Sequence, residues 1–335
     1  MKFLIIRLSS IGDIVLTTPV IRCLKQQVAT AEVHYVTRAA FAPVLAANPY
    51  IDKAIYVKDS VEEVFDTLRA EDYDYVIDLH HNVRSLKIKR ALKKQSFSFP
   101  KLNIEKWLLT ALKINKLPDI HIVDRYLETV KQFGVKNDGR GLDYFIPEEE
   151  KVKEDDIPAS HHAGYIAIAI GAALNTKKLP IHKLRELCQR LEFPIILLGG
   201  KEDAAAGQEI AQLDTIRIYN ACGKFSLNES ADLVRRARTL ITHDTGLMHV
   251  GAAFNKPMVS IWGNTIPQLG MTAYYSNPTI KDIRMEVHGL RCRPCSKIGY
   301  AKCPRGHFKC MEQQDVEGIV RGGGGGSSWV GWFKT

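Results

Sequence analysis

The sequence predicts an α/β protein built from two doubly wound parallel-sheet domains facing a central cleft. Three observations carry this. Apolar runs of strand length alternate with helical patterns along the chain. An acidic stretch without apolar period, residues 147–158, divides that alternation into two series. The polar, glycine-bearing motifs fall just after predicted strands, at the carboxyl edge where such sheets bind ligands.

In chain order, a strand at 3–8 leads into a helix over 13–27. Strands follow at 31–36, at Lys53–Val57 and at 73–79, and then a basic helix over 84–94. Residues 147–158 (PEEEKVKEDDIP) read as an interdomain linker. The pattern restarts with a strand at 164–170, a helix over 181–191 and strands at 194–198, 215–219 and 239–242, and Met258–Trp262 closes the series. The expected domains are therefore 1–146 and 159–321, with no internal repeat between them. Residues 322–335 begin with five glycines and two serines and read as a flexible linker or an added tail.

A chain of 335 residues is long enough for two cores, and 45% hydrophobic with 25% charged residues is the composition of a soluble globular protein. No run of eighteen apolar residues exists to span a membrane, and Arg7 interrupts the N-terminal apolar run too early for a signal peptide. The expected location is the cytoplasm, where thiols stay reduced. The net charge of +9 asks for an anionic partner: nucleic acid, a membrane surface or a phosphorylated molecule. Six basic residues fall within 84–94, including Arg84, Lys87, Lys89 and Arg90. They form either a solvated helix face or a cationic rim for an anionic ligand.

The loop Ser9-Ser10-Ile-Gly12-Asp13 follows the first strand. Asp13 is read two ways, as a helix cap complementing the dipole or as a general base at the mouth of the sheet. A second stretch, THDTGLMHVGAAF from Thr242, follows a strand and opens a helix of small residues. Asp244 stands at an expected N-cap, Gly246 admits close approach to the backbone, and Thr245 and His249 share one face. The pattern suits an anion at a helix N-terminus, or a capped helix with a core histidine. Lys177, after a third strand end, would reach a phosphate or remain a surface lysine. Glu202 follows a glycine turn and is placed for a ribose diol. Together these loops read as a nucleotide-diphosphate site.

Of seven cysteines, Cys23 and Cys188 fall on apolar helical faces and Cys222 near a strand end. The other four, Cys292, Cys295, Cys303 and Cys310, cluster within 292–310 around His307. Their spacing suits a structural zinc, or a reduced, redox-labile surface loop.

These motifs resemble glycosyltransferase family 9, the bacterial ADP-heptose:lipopolysaccharide heptosyltransferases. Ser9-Ser-Ile-Gly-Asp13 with Thr17-Thr-Pro19 is similar to the family's N-terminal signature. Lys177-Lys-Leu-Pro180 is similar to its Lys-x-Trp-Pro pattern, with Leu179 in the Trp position. Asp244-Thr-Gly-x-x-His249 with Ala252-Ala253 resembles its most specific motif, and Asn48-Pro-Tyr-Ile-Asp52 and His121-x-x-x-Arg125-Tyr126 look similar too. The likeness covers about residues 1–320, and the cysteine-rich segment is most like the heptosyltransferase II branch. The resemblance implies a GT-B architecture of two Rossmann-like domains, acceptor on the N-terminal one and nucleotide sugar on the C-terminal one. It implies inverting transfer of heptose from ADP-L-glycero-D-manno-heptose to the lipopolysaccharide inner core, on a lipid A-Kdo acceptor.

In that reading Asp13 is the base, and Lys177, Thr245, Gly246 and His249 hold the leaving diphosphate with no metal required. The basic helix with Arg84, Lys87, Lys89 and Arg90 faces an anionic glycolipid at the inner face of the inner membrane. The alternatives are a transferase of the same fold with another nucleotide sugar, or a non-catalytic sugar-nucleotide binder. A nicotinamide oxidoreductase is disfavoured because the first strand lacks Gly-x-Gly-x-x-Gly. A nucleic-acid module is disfavoured because no aromatic stripe accompanies the basic run.

Overall fold

The structure is a computed structural model describing residues 1–324. Five parallel strands form the first sheet: β1 (Lys2–Ile6), β2 (Glu32–Arg38), β3 (Lys53–Val57), β4 (Tyr75–Asp78) and β5 (Gln95–Ser98), in the order β3-β2-β1-β4-β5. Around them lie α1 (Ile11–Val15), α2 (Thr18–Gln27), α3 (Phe65–Ala70), α4 (Val83–Leu92), α5 (Asn103–Trp107) and α6 (Ile122–Leu127). The second sheet holds β6 (Ile166–Ala169), β7 (Ile195–Leu198), β8 (Ile218–Asn220), β9 (Thr239–His243), β10 (Met258–Trp262) and β11 (Asp282–Glu286). Its order is β11-β10-β9-β6-β7-β8, again all parallel. The helices α7 (Ile181–Arg190), α8 (Ala204–Ala211), α9 (Leu227–Arg236), α10 (Gly246–Ala253), α11 (Lys309–Glu312) and α12 (Val316–Gly323) complete that half. Strands such as β6 and β7 are apolar and buried throughout because helices cover both faces of each sheet.

Both sheets reverse direction beside their first strand, between β1 and β4 and between β6 and β9. A crevice opens at the strand ends of such a switch point. The two switch points meet: a Cβ built on Gly12 of α1 would lie 2.5 Å from His249 of α10, and 3.4 Å from the Gly246 Cα. One buried cluster runs without a break from Phe3 and Ile5 through Tyr144 to Leu240 and Trp262.

Several elements differ from expectation. The helix expected over 13–27 is two, α1 and α2, separated at Leu16 and Thr17. Pro19 cannot donate the backbone bond a continuous helix would need, so the chain restarts with proline in the first turn of α2. Strands β5 and β11 were not expected. Their sequences, QSFS and DIRME, are short and polar because they form sheet edges. The acidic stretch 147–158 is not a free tether. It turns twice as 3₁₀-helix, buries Val152 and Ile157, and the Val152 N–H donates to Asp232 on α9 at 3.1 Å. The expected boundary at 321 also moves, because α12 continues through Gly322 and Gly323, which pack on Val259, Ile283 and Ile241. The rest of the expected tail, 325–335, lies outside the described residues.

Candidate active site

Arg7, just past β1, organises the N-terminal wall. Its guanidinium donates to the carbonyls of Ser9 (2.7 Å) and Leu79 (2.6 Å) and to the Tyr126 hydroxyl (2.9 Å). It also pairs with Asp13 at 2.7 Å. The other Asp13 oxygen accepts from the Ser10 hydroxyl at 2.8 Å and from the Ser10 N–H at 3.3 Å. Asp13 thus caps the start of α1 and still keeps 22% of its side chain exposed to the crevice. Burial pushes its pKa up, but the Arg7 charge and the Ser10 hydrogen bonds outweigh burial and hold the carboxyl below its usual range. It is a carboxylate at neutral pH.

The facing wall comes from the ends of β6 and β9. Lys177 pairs with the Asp244 carboxylate at 2.7 Å and donates to its carbonyl at 3.1 Å. Thr265 donates to the same carboxylate at 2.8 Å. Asp244 therefore does not cap α10, as its position in sequence suggested. Thr245 holds the N-cap position, its hydroxyl 3.3 Å from that of Thr242. Gly246 is small for a different reason than expected: a Cβ there would strike Ile11 at 2.9 Å, so the glycine serves the contact between domains. His249 is 3% exposed, packed on Gly12, with Nδ1 unpartnered. Burial lowers its pKa to about 4, so at neutral pH the imidazole is uncharged.

Glu202 is exposed at the end of β7. The buried carboxylate of that turn is its neighbour Asp203, which accepts from Lys178 at 2.6 Å and from the Gly200 N–H at 3.1 Å. Leu179, in the motif's tryptophan position, is buried, and its N–H donates to His243 Nε2 at 2.9 Å.

The basic helix α4 is only partly a rim. Lys89 turns inward to Asp78 at 2.9 Å and to the Ser98 hydroxyl at 2.9 Å, so it is a structural counter-ion, not an acceptor contact. Lys87 pairs with Glu62. Arg84 and Arg90 stay exposed, and the Arg84 charge reaches buried His80.

Sequence reasoning missed a group of unpaired cations, two of which lie within electrostatic reach of Asp13. Arg125, on α6, is 5% exposed with its Nε unpartnered. Its recorded hydrogen bond goes to the Pro100 carbonyl at 3.3 Å. Burial lowers the Lys106 pKa to about 8, aided by Arg125, Lys297 and Lys101, and Asp13 acts on it in the opposite sense. Lys101 is lowered by burial and by Arg7 and Lys297. No carboxylate of the described residues forms an ion pair with Lys101, Lys106, Arg125 or Lys297. Arg125 is buried and Lys101 and Lys106 are half-buried, and positive charge withdrawn from water without a counter-ion is costly unless an anion completes it. The signal available in sequence was the i, i+4 pair His121 and Arg125, noted there without a role.

The cysteine segment does not close on a metal. Cys292 Sγ approaches His307 Nε2 at 3.8 Å, while Cys295 donates to the Cys292 carbonyl at 3.0 Å. Among the described residues no three of these ligand atoms lie within 4.8 Å of one another. Four thiolates on one zinc stand about 3.8 Å apart.

Two switch points that face each other, one bearing an ionised carboxylate and the other a lysine-loaded helix start, are the frame of a GT-B glycosyltransferase. The chain belongs to glycosyltransferase family 9 (heptosyltransferase), whose model matches residues 61–297. It is 28% identical over 292 residues to lipopolysaccharide heptosyltransferase 1 of Campylobacter coli, covering 79% of this chain and 84% of that one. Among solved structures, a glycosyl transferase family 9 protein from Veillonella parvula matches with a TM-score of 0.76 at 24% identity, over 96% of this chain and 95% of that one. The E. coli ADP-heptose lps heptosyltransferase II matches with a TM-score of 0.73 at 19% identity, over 96% and 97%.

Proposed function

We propose that the protein moves heptose from ADP-L-glycero-D-manno-heptose to the lipid A-Kdo inner core of lipopolysaccharide, with inversion and with Asp13 as general base. One observation carries this reading. The Asp13 carboxylate is ionised and partly exposed, and it lies across a close interdomain contact from the Lys177–Asp244 pair. An acceptor hydroxyl attacks the anomeric carbon from the Asp13 side and gives its proton to the carboxylate. The transition state is oxocarbenium-like, so the attacking oxygen turns strongly acidic late, and a carboxylate of lowered pKa suffices to take the proton. Charge building on the departing ADP is met by Lys177, Thr245 and the free N–H groups at the start of α10. A diphosphate gains Lys177 by competing with Asp244 for it.

The donor side is tested by thermal stability. ADP at about a hundred times its Kd adds about 2.7 kcal/mol to the folded state, and Lys177→Ala removes most of that gain. Stabilisation by UDP or NADPH but not by ADP would show the donor assignment to be wrong.

On the acceptor side, Lys101, Lys106 and Arg125 take the phosphates and carboxylates of the inner core. Lys106 carries its charge below its pKa of about 8, so kcat/KM for the acceptor falls as pH rises through 8. Lys106→Met lowers kcat/KM and flattens that alkaline limb. A variant that keeps the wild-type pH profile would remove Lys106 from acceptor binding.

No helix among the described residues is long and apolar enough to cross a membrane. With this acceptor the protein works at the cytoplasmic face of the inner membrane. Catalysis uses no metal in this reading. A structural zinc on Cys292, Cys295, Cys303 and Cys310 requires the segment to close further, since among the described residues no three of the ligand atoms lie within 4.8 Å of one another. Metal analysis decides it: about one zinc per chain in protein purified without chelator supports the site, and four freely titrating thiols with no zinc exclude it.

A further inference from the structure

Two segments, one from each domain, meet beside the mouth of the crevice. The first begins with α5 and continues through a π-helical turn, Leu108–Leu112. Leu109 faces inward and is buried, whereas Ile104 and Trp107, three residues apart on one side, are 73% and 57% exposed. Leu112 and Ile114 are exposed as well. The second is the cysteine-rich segment, which presents Ile298 and Tyr300. Lys113 joins the two, donating to the Pro294 carbonyl at 2.7 Å and to the Cys292 carbonyl at 3.3 Å. Six of the fifteen large apolar side chains exposed among the described residues fall in these two short stretches. An apolar surface so concentrated marks an interaction site and not ordinary scatter.

The charge around it is one-sided. Residues 101–120 carry four lysines and two acids, and residues 287–309 carry six cations and no acid. Of those six, only Arg293 is neutralised, by Glu286 at 3.0 Å. Between the segments lies a cavity of about 550 Å³ lined by Lys113, Arg291, Arg305, His307 and Lys309 among others. The chain's positive excess is thus gathered here more than on α4.

We propose that this face docks the protein on an anionic phospholipid bilayer, with Ile104 and Trp107 inserted at the interface and the lysines and arginines on lipid phosphates. A tryptophan beside aliphatic side chains and ringed by cations is the chemistry of an interfacial helix, neither spanning nor covalently anchored. The inference rests on the lipid-linked acceptor proposed above. The Lys297 charge acts on Lys101 and Lys106, and the Asp13 charge acts on both as well, so this face lies close to the Asp13 end of the crevice. Docking here brings the crevice mouth to the membrane surface, where such an acceptor displays its sugars.

The test is co-sedimentation of the full chain with vesicles of neutral phosphatidylcholine and with vesicles carrying phosphatidylglycerol. The protein binds the anionic vesicles more tightly, and added salt weakens the binding. Ile104→Ser with Trp107→Ser lowers the partition coefficient about tenfold or more. Lys116→Ser and Lys302→Ser lower it about fivefold each. All four side chains are exposed, so melting temperatures stay unchanged. With a deacylated, water-soluble acceptor the double apolar variant keeps wild-type turnover, and with acceptor embedded in vesicles it loses it. Equal binding to neutral and anionic vesicles, or undiminished binding by the double variant, overturns the proposal. So does a concentration-dependent dimer that Trp107→Ser abolishes, since a second copy would then own the face. Loss of the heptose-transfer reading would show as no product with the soluble acceptor, while the vesicle result would stand apart from it.

Discussion

Asp13→Asn lowers turnover by about 10²–10⁴-fold, the usual contribution of a positioned general base. The substitution is close to isosteric, and Asn still accepts from Ser10. Arg7 keeps its bonds to Ser9, Leu79 and Tyr126, so the loop survives the loss of its ion pair. ADP binding changes little, because Lys177 and Thr245 lie on the other domain. In the wild type the acid limb of the kcat/KM profile lies below the ordinary carboxylate range, since Arg7 and Ser10 hold the Asp13 pKa down. The profile is therefore flat from mildly acidic to neutral pH, and the variant lacks that acid limb. Near-normal turnover would leave Asp13 with its other visible duty, capping α1.

The second large effect is on stability. Arg22, on α2, is 0% exposed. Its guanidinium grips Asp138 through two bonds of 2.7 and 2.8 Å, pairs with Asp143 and donates to the Gly141 carbonyl at 2.9 Å. This fastens the chain leaving the first domain onto α2. Arg22→Met strands two half-buried carboxylates and costs about 3–5 kcal/mol, read as a lower urea midpoint at unchanged slope. Arg22→Lys loses less, because it keeps the charge and gives up only the fork. The pH dependence follows from Asp138, whose pKa Arg22 lowers from 3.8 to about 2. A depressed acid stabilises fully above its unfolded value, so this contribution is lost as pH falls from about 4 towards 2. Asp143 works against it, since burial outweighs Arg22 there and raises its pKa. The gap between wild type and variant narrows over that window. An unfolding free energy within about 1 kcal/mol of wild type at neutral pH would mean the trio is dispensable.

Much of the catalytic wall was legible before any fold was known. Asp13, Lys177 and the stretch from Asp244 to His249 each follow an apolar run of strand length, and parallel sheets expose chemistry at those ends. What misled the reading was partnership. Asp244 looks like a cap in its own segment, yet it answers Lys177 across 67 positions of chain. Lys89 looks like part of a basic rim, yet Asp78 draws it inward. His249 looks like a donor to the diphosphate in its own segment, yet it is buried against Gly12 of the other domain.

The two alternating series, the strand ends that carry the motifs, and the family those motifs resemble can all be read from the order of residues. These are properties of neighbouring residues: periodicity of burial, turn-forming glycines, a proline that breaks a helix. Only the tertiary structure decided which charges are neutralised and which are left waiting. The order of strands in each sheet sets which loops share a crevice, and burial then sets the cost of each unpaired charge. Arg7 was hidden in an apolar run, and Lys101, Lys106 and Arg125 lie on a loop, on α5 and on α6. Folding pairs Arg7 with Asp13 and brings Lys101 and Lys106 within electrostatic reach of it, while no carboxylate of the described residues pairs with those lysines or with Arg125, and no local pattern encodes that proximity.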